Sequence, residues 1–106
     1  MKTSNIFKDI PSQVKEELFE ELLCRDGLKI ERIVSNGHNS AENEWYDQEN
    51  HEWVIILQGK AILSFESGKD VKLKSGDYIN IPAHTRHKVS WTTPQSKTIW
   101  LAVHYS

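Results

Sequence analysis

The sequence predicts an all-β domain preceded by one N-terminal α-helix, and three observations carry that prediction. After residue 27 apolar and polar residues alternate with a period of two, the signature of half-buried strands. Turn-forming pairs interrupt the alternation about every ten residues, as in a sandwich or barrel. Before residue 27 the period is instead helical. With 106 residues, 38% hydrophobic and 26% charged, the chain can bury one core but hardly two.

The helix is expected over Pro11–Arg25. Val14, Leu18, Phe19, Leu22 and Leu23 recur at helical spacing, with Lys15, Glu16, Glu17, Glu20 and Glu21 between them. Acidic residues favour its first half, Arg25 its end, and Gly27 its stop. The expected organisation is therefore residues 1–27 as a segment and helix packed on a β-barrel of residues 28–106. Strands are expected at Leu28–Ser35, Trp53–Gln58, Ala61–Glu66, Val71–Lys74, Tyr78–Ile81, Lys88–Thr92 and Thr98–Tyr105. Asn36-Gly37, Gln58-Gly59, Ser67-Gly68, Ser75-Gly76 and Thr93-Pro94 supply the turns, and the polar stretch Asn36–Asn43 reads as a loop.

Composition narrows the function. Thirteen basic against fifteen acidic side chains give a net charge of −2, which argues against nucleic acid and anionic membranes as partners. Residues 1–10 lack the apolar stretch of a signal peptide, and no run is long and apolar enough to span a bilayer. A single cysteine, Cys24, excludes an internal disulfide and a multi-cysteine zinc site, and suits a reducing cytoplasm. On the expected helix, Cys24 reads as a packing residue. No phosphate-cradling glycine loop and no nucleophile elbow is present. Chemistry is left to histidines, carboxylates and aromatic residues.

Two stretches concentrate those residues, Trp45–Trp53 running into Gly59, and Gly76–His87. Residues two apart on a strand share a face, so Tyr46, Gln48 and Glu52 can point together, as can His87, Val89 and Trp91. His51 then faces away from Glu52, Trp53 lies on the opposite face, and His38 belongs to the polar loop. His104 shares a face with Trp100 and Ala102. It enters a pocket if that face is interior, whereas otherwise Ile99, Leu101, Val103 and Tyr105 own the core. His84 follows Pro82 and reads as a ligand, a contact at a pocket mouth, or an exposed side chain.

The pattern resembles the cupin superfamily, whose fold is a double-sheet jelly-roll barrel. A Glu, six residues and a Gly close its first motif, matched by Glu52 and Gly59. Its second motif is matched by Gly76, Pro82 and His87, with His84 where a small residue is expected. Where metal-binding cupins carry two further histidines and an Asn, this chain has Tyr46, Gln48 and Trp91. The resemblance implies a divalent transition metal (Mn, Fe, Ni or Zn) on Gln48, Glu52 and His87, a mixed oxygen and nitrogen set suited to such ions. Tyr46 and Glu52 are then the candidate catalytic groups, and Tyr46, His84, Trp91 and His104 the pocket. The expected activity is that of a metal-dependent isomerase, lyase or oxygenase acting on a small organic molecule. The alternative is a metal-free binding or sensing module in which Glu52 and His87 form a buried couple. The resemblance also implies a homodimer.

Overall fold

Eight β-strands and no α-helix make up the described residues, 1–40 and 44–106, of the computed structural model. In chain order they are β1 (Leu18–Arg25), β2 (Leu28–Ser35), β3 (His51–Gln58), β4 (Lys60–Phe65), β5 (Asp70–Lys74), β6 (Tyr78–Ile81), β7 (His87–Thr92) and β8 (Thr98–Tyr105). Seven of these follow the expected alternation closely. They form two antiparallel sheets, one ordered β1-β2-β8-β3-β6 and the other β5-β4-β7. Among the described residues the arrangement is a two-sheet antiparallel sandwich, not a barrel closed by continuous strand pairing. Part of the expected loop, residues 41–43, lies outside the described residues.

The expected helix over Pro11–Arg25 is not formed. Its second half is β1, an edge strand paired with β2 from Leu18↔Val34 to Arg25↔Leu28. The Asp26-Gly27 pair is a two-residue hairpin turn with Gly27 at φ 74°, so the glycine read as a helix stop is a strand reversal. The unpaired edge of β2 supplies backbone hydrogen bonds that outweigh a weak helical preference. Strand geometry leaves Phe19, Leu22 and Leu23 exposed, and Cys24 is exposed rather than packed.

Arg32 is the device that fixes β1 and the N-terminal segment. It is 5% exposed; its guanidinium forks onto the Glu20 carboxylate of β1 at 2.7–2.9 Å and donates to the carbonyls of Ile6 and Lys8 at 2.9 and 2.6 Å. A planar donor with five N–H groups can satisfy all three acceptors at once.

The inner faces of the two sheets enclose the core. Ile33, Val54, Ile56, Trp100, Ala102 and Ile81 face Ala61, Leu63 and Leu73 across the sandwich. Cross-strand register aligns the inner residues as Ile33↔Trp100, Val54↔Ala102 and Glu52↔His104. The face of β8 bearing Trp100, Ala102 and His104 is therefore the interior one. Toward one end the apolar lining gives way to carboxylates and imidazoles.

Candidate functional site

That end of the sandwich holds a cavity of about 240 Å³, a little below the usual range of about 300–1,000 Å³ for ligand sites. The larger sheet contributes Glu31, Glu52, Trp100 and His104, and β7 of the smaller sheet contributes His87. Tyr46 and Gln48 enter from the segment before β3. Tyr46 is positioned by an isolated backbone bridge to His87, donating its N–H to the His87 carbonyl at 2.7 Å and accepting the return bond at 3.2 Å. The two rings lie 5.8 Å apart, centroid to centroid.

Glu52 and His87 meet across the gap between the sheets, with Oε1 3.4 Å from Nε2 and both side chains largely buried. Nδ1 of His87 lies 2.8 Å from the carbonyl oxygen of Thr85. A carbonyl only accepts, so Nδ1 carries a proton and Nε2 is the atom presented to Glu52. Burial disfavours the imidazolium, but the hydrogen bond to Glu52, the Thr85 carbonyl and the Glu52 charge outweigh it and raise the His87 pKa above its ordinary 6.5. The Tyr46 phenol is raised too, first by burial and then by the charges of Glu17, Glu44 and Glu52, against a hydrogen bond with Ser40 that lowers it. Tyr46 thus stays a protonated phenol at neutral pH, a donor beside a carboxylate that accepts.

A second carboxylate–imidazole couple lines the same cavity. Glu31 Oε1 lies 2.8 Å from Nε2 of His104, and the Lys29 ammonium lies 3.6 Å from Glu31 Oε2. A third carboxylate, Glu17, accepts from the Ser35 hydroxyl, which itself accepts from Nε1 of the buried Trp100.

Of the pocket residues expected from sequence, Tyr46 and His104 line this cavity with Gln48, Glu52 and His87; two others do not. Trp91 is 39% exposed on the outer face of the smaller sheet. A β-bulge causes this: Leu63 pairs with Val89 but Ile62 with Trp91. The extra residue, Ser90, turns Trp91 outward and brings Thr92 inward. His84 is exposed and held outside the cavity by Asp47, its Nδ1 lying 2.8 Å from Oδ1. Its backbone has φ 60°, which explains why a small residue suits that position in the family motif. His51 also lies apart, accepting the Ala83 N–H on Nδ1, and Trp53 packs on Tyr78.

Glu17 and Glu31 were not singled out by sequence reasoning. Glu31 carried a usable signal, because alternation places it with Lys29, Ile33 and Ser35 on one face of β2. Glu17 carried none, being one of several acidic residues in an apparently helical stretch.

The charged donors do not by themselves make a metal site. Among the described residues no three His, Cys, Asp or Glu side chains come together as one ion would require. A metal at the Glu52–His87 couple would have to complete its shell with the neutral donors Gln48 and Tyr46.

Residues 32–104 match the family described as the cupin domain. The chain belongs to the cupin family. Over its whole length it is 43% identical to a crystal structure from Ralstonia eutropha JMP134, covering 99% of that chain with a TM-score of 0.95. That protein is provisionally named a mannose-6-phosphate isomerase. Over 67 residues, 63% of this chain, it is 31% identical to quercetin 2,3-dioxygenase of Bacillus subtilis (strain 168). The chain spans 20% of the length of that curated relative. A cupin superfamily protein of Desulfitobacterium hafniense DCB-2 shares the fold, with a TM-score of 0.75 at 20% identity over 91% of this chain and 83% of that one. Among the described residues no helix is long and apolar enough to cross a membrane.

Proposed function

We propose that this cupin takes up a small organic molecule in the cavity between its sheets, with Glu52 and His87 as the chemical centre. The observation carrying this reading is a largely buried carboxylate–imidazole couple that faces a cavity rather than packed side chains. Such a couple orients a hydroxyl or carbonyl ligand and can exchange a proton with it. Glu52 accepts, while the Tyr46 phenol and the His87 imidazolium donate. This division of roles suits proton-transfer chemistry such as the isomerisation named for the Ralstonia relative, and equally suits binding without turnover. A thermal-shift screen of small polyols, hydroxy ketones and sugars tests it. Ligands of the cavity should raise the melting temperature of the wild type and lose that effect in Glu52→Gln and His87→Gln. Equal shifts in wild type and both variants would refute the assignment.

A second reading places a divalent transition metal (Mn, Fe, Ni or Zn) on Glu52, His87 and Gln48, supported by one specific geometry. Two donors on a common ion at roughly 2.0–2.2 Å stand about 3–3.5 Å apart, and Oε1 and Nε2 are 3.4 Å apart. The Nδ1 contact with a backbone carbonyl is also the usual support of a ligating imidazole. Elemental analysis of freshly purified protein, followed by uptake of each metal, separates the readings. Protein that neither carries nor takes up any of the four ions leaves only the first.

A further inference from the structure

Resting on the first reading, that the cavity is a ligand site without a metal, we infer that its interior admits neutral or positively charged small molecules and excludes phosphate and other anions, with Glu31 and Glu17 setting the preference. Among the described residues three carboxylates line the cavity, Glu17, Glu31 and Glu52, against one ammonium, Lys29. With His87 and His104 neutral the lining is doubly negative, and with both protonated it is balanced. In no protonation state of the imidazoles is there cationic charge to spare for an incoming dianion. Lys29 is committed to Glu31 at 3.6 Å and is itself 42% exposed, so its charge faces the solvent side. Among the described residues no arginine lines the cavity, and a phosphate finds no planar fork to dock on among them.

The approach to the cavity differs in sign. Lys29, Gln48 and His104 line both the cavity and an adjoining outer groove, which also holds Arg25 and Glu49. The groove adjoins the cavity through these three residues. An anionic group on a longer ligand would stay there, beside Arg25 and Lys29, while an uncharged hydroxyl or carbonyl end entered. The provisional sugar-phosphate assignment of the Ralstonia relative fits this chain only in that orientation, with the phosphate outside.

Methyl-labelled protein titrated with glycerol, ethanolamine and inorganic phosphate at pH 7 tests the inference by NMR. Glycerol and ethanolamine should move the methyl signals of Val54, Leu63 and Val89, which line the cavity. Phosphate should need at least about tenfold more for the same shift, or move only Leu28 in the groove. Phosphate shifting the three cavity methyls at equal or lower concentration overturns the inference while leaving the cavity a ligand site. If none of the three probes reaches those methyls, the inference and the ligand-site reading fall together. In Glu31→Gln the handicap of phosphate should shrink by about threefold or more, with the dispersed methyl spectrum showing that the fold is kept. Glu17→Gln serves the same purpose if Glu31→Gln does not fold. An unchanged handicap in a folded variant overturns the role given to that carboxylate.

Discussion

Glu52 on β3 and His87 on β7 belong to different sheets, yet their Oε1 and Nε2 atoms stand 3.4 Å apart at the end of the core. The contact ties the layers where apolar packing gives way to a polar cavity. It has a definite pH signature. Because the folded state raises the His87 pKa above 6.5, the contribution is complete below the unfolded value, where the imidazole is charged in both states. It is lost as pH rises through the raised folded value. The melting temperature of wild type should therefore exceed that of Glu52→Gln most near pH 6 and least above pH 8. Calorimetry across that range checks the trend, and a gap that widens with rising pH contradicts it.

Trp100 and Trp91 should behave as opposites. Trp100 is 3% exposed, joins the core cluster and donates to Ser35, so Trp100→Ala should cost about 3–5 kcal/mol. Trp91 lies outside the sandwich because of the bulge at Ser90, and Trp91→Ala should cost less than about 1 kcal/mol. Urea unfolding of the two variants measures both. A large loss from Trp91→Ala would place that ring in the interior after all.

Removing the Arg32 clamp should loosen one region before it unfolds the whole. Arg32→Ala leaves the Ile6 and Lys8 carbonyls and the Glu20 carboxylate without their shared donor, at a cost of about 2–4 kcal/mol. Amide exchange should rise first in residues 1–10 and β1. Uniformly faster exchange across both sheets would show instead that the clamp supports the global fold alone.

Gly59 joins β3 to β4 at φ 94°, and a Cβ there would sit 2.7 Å from the Thr98 backbone Cα. Left-handed strain and the backbone clash act together, so Gly59→Ala should lose about 2–4 kcal/mol. Gly68, with open space around its Cβ position, is the control: Gly68→Ala carries only the conformational part, about 1–2 kcal/mol. Equal losses at the two sites would remove the clash from the account.

Legibility in the sequence followed the range of the interactions. The strands from Leu28 onward and the turn glycines were readable because alternation is a local property, whereas the pairing of Glu52 with His87 was legible only through the resemblance to the cupin motifs. Leu18–Arg25 was misread because its apolar spacing suits a helix, and only the vacant edge of β2 makes it a strand. Trp91 was misplaced because one inserted residue, visible only in the register with β4, reverses its face.

The amino-acid order by itself determined that this chain alternates and where it turns, and the resemblance of its motifs to cupins pointed to the carboxylate and imidazole that could share a site. Tertiary structure decided which face of β8 is interior, that Glu31 and His104 form a second couple, and that Glu17 reaches the same cavity. The physical reason is that burial and hydrogen bonding across strands are settled by neighbours distant in the chain. Local spacing limits what each residue can face, and the partner strand selects what it does face.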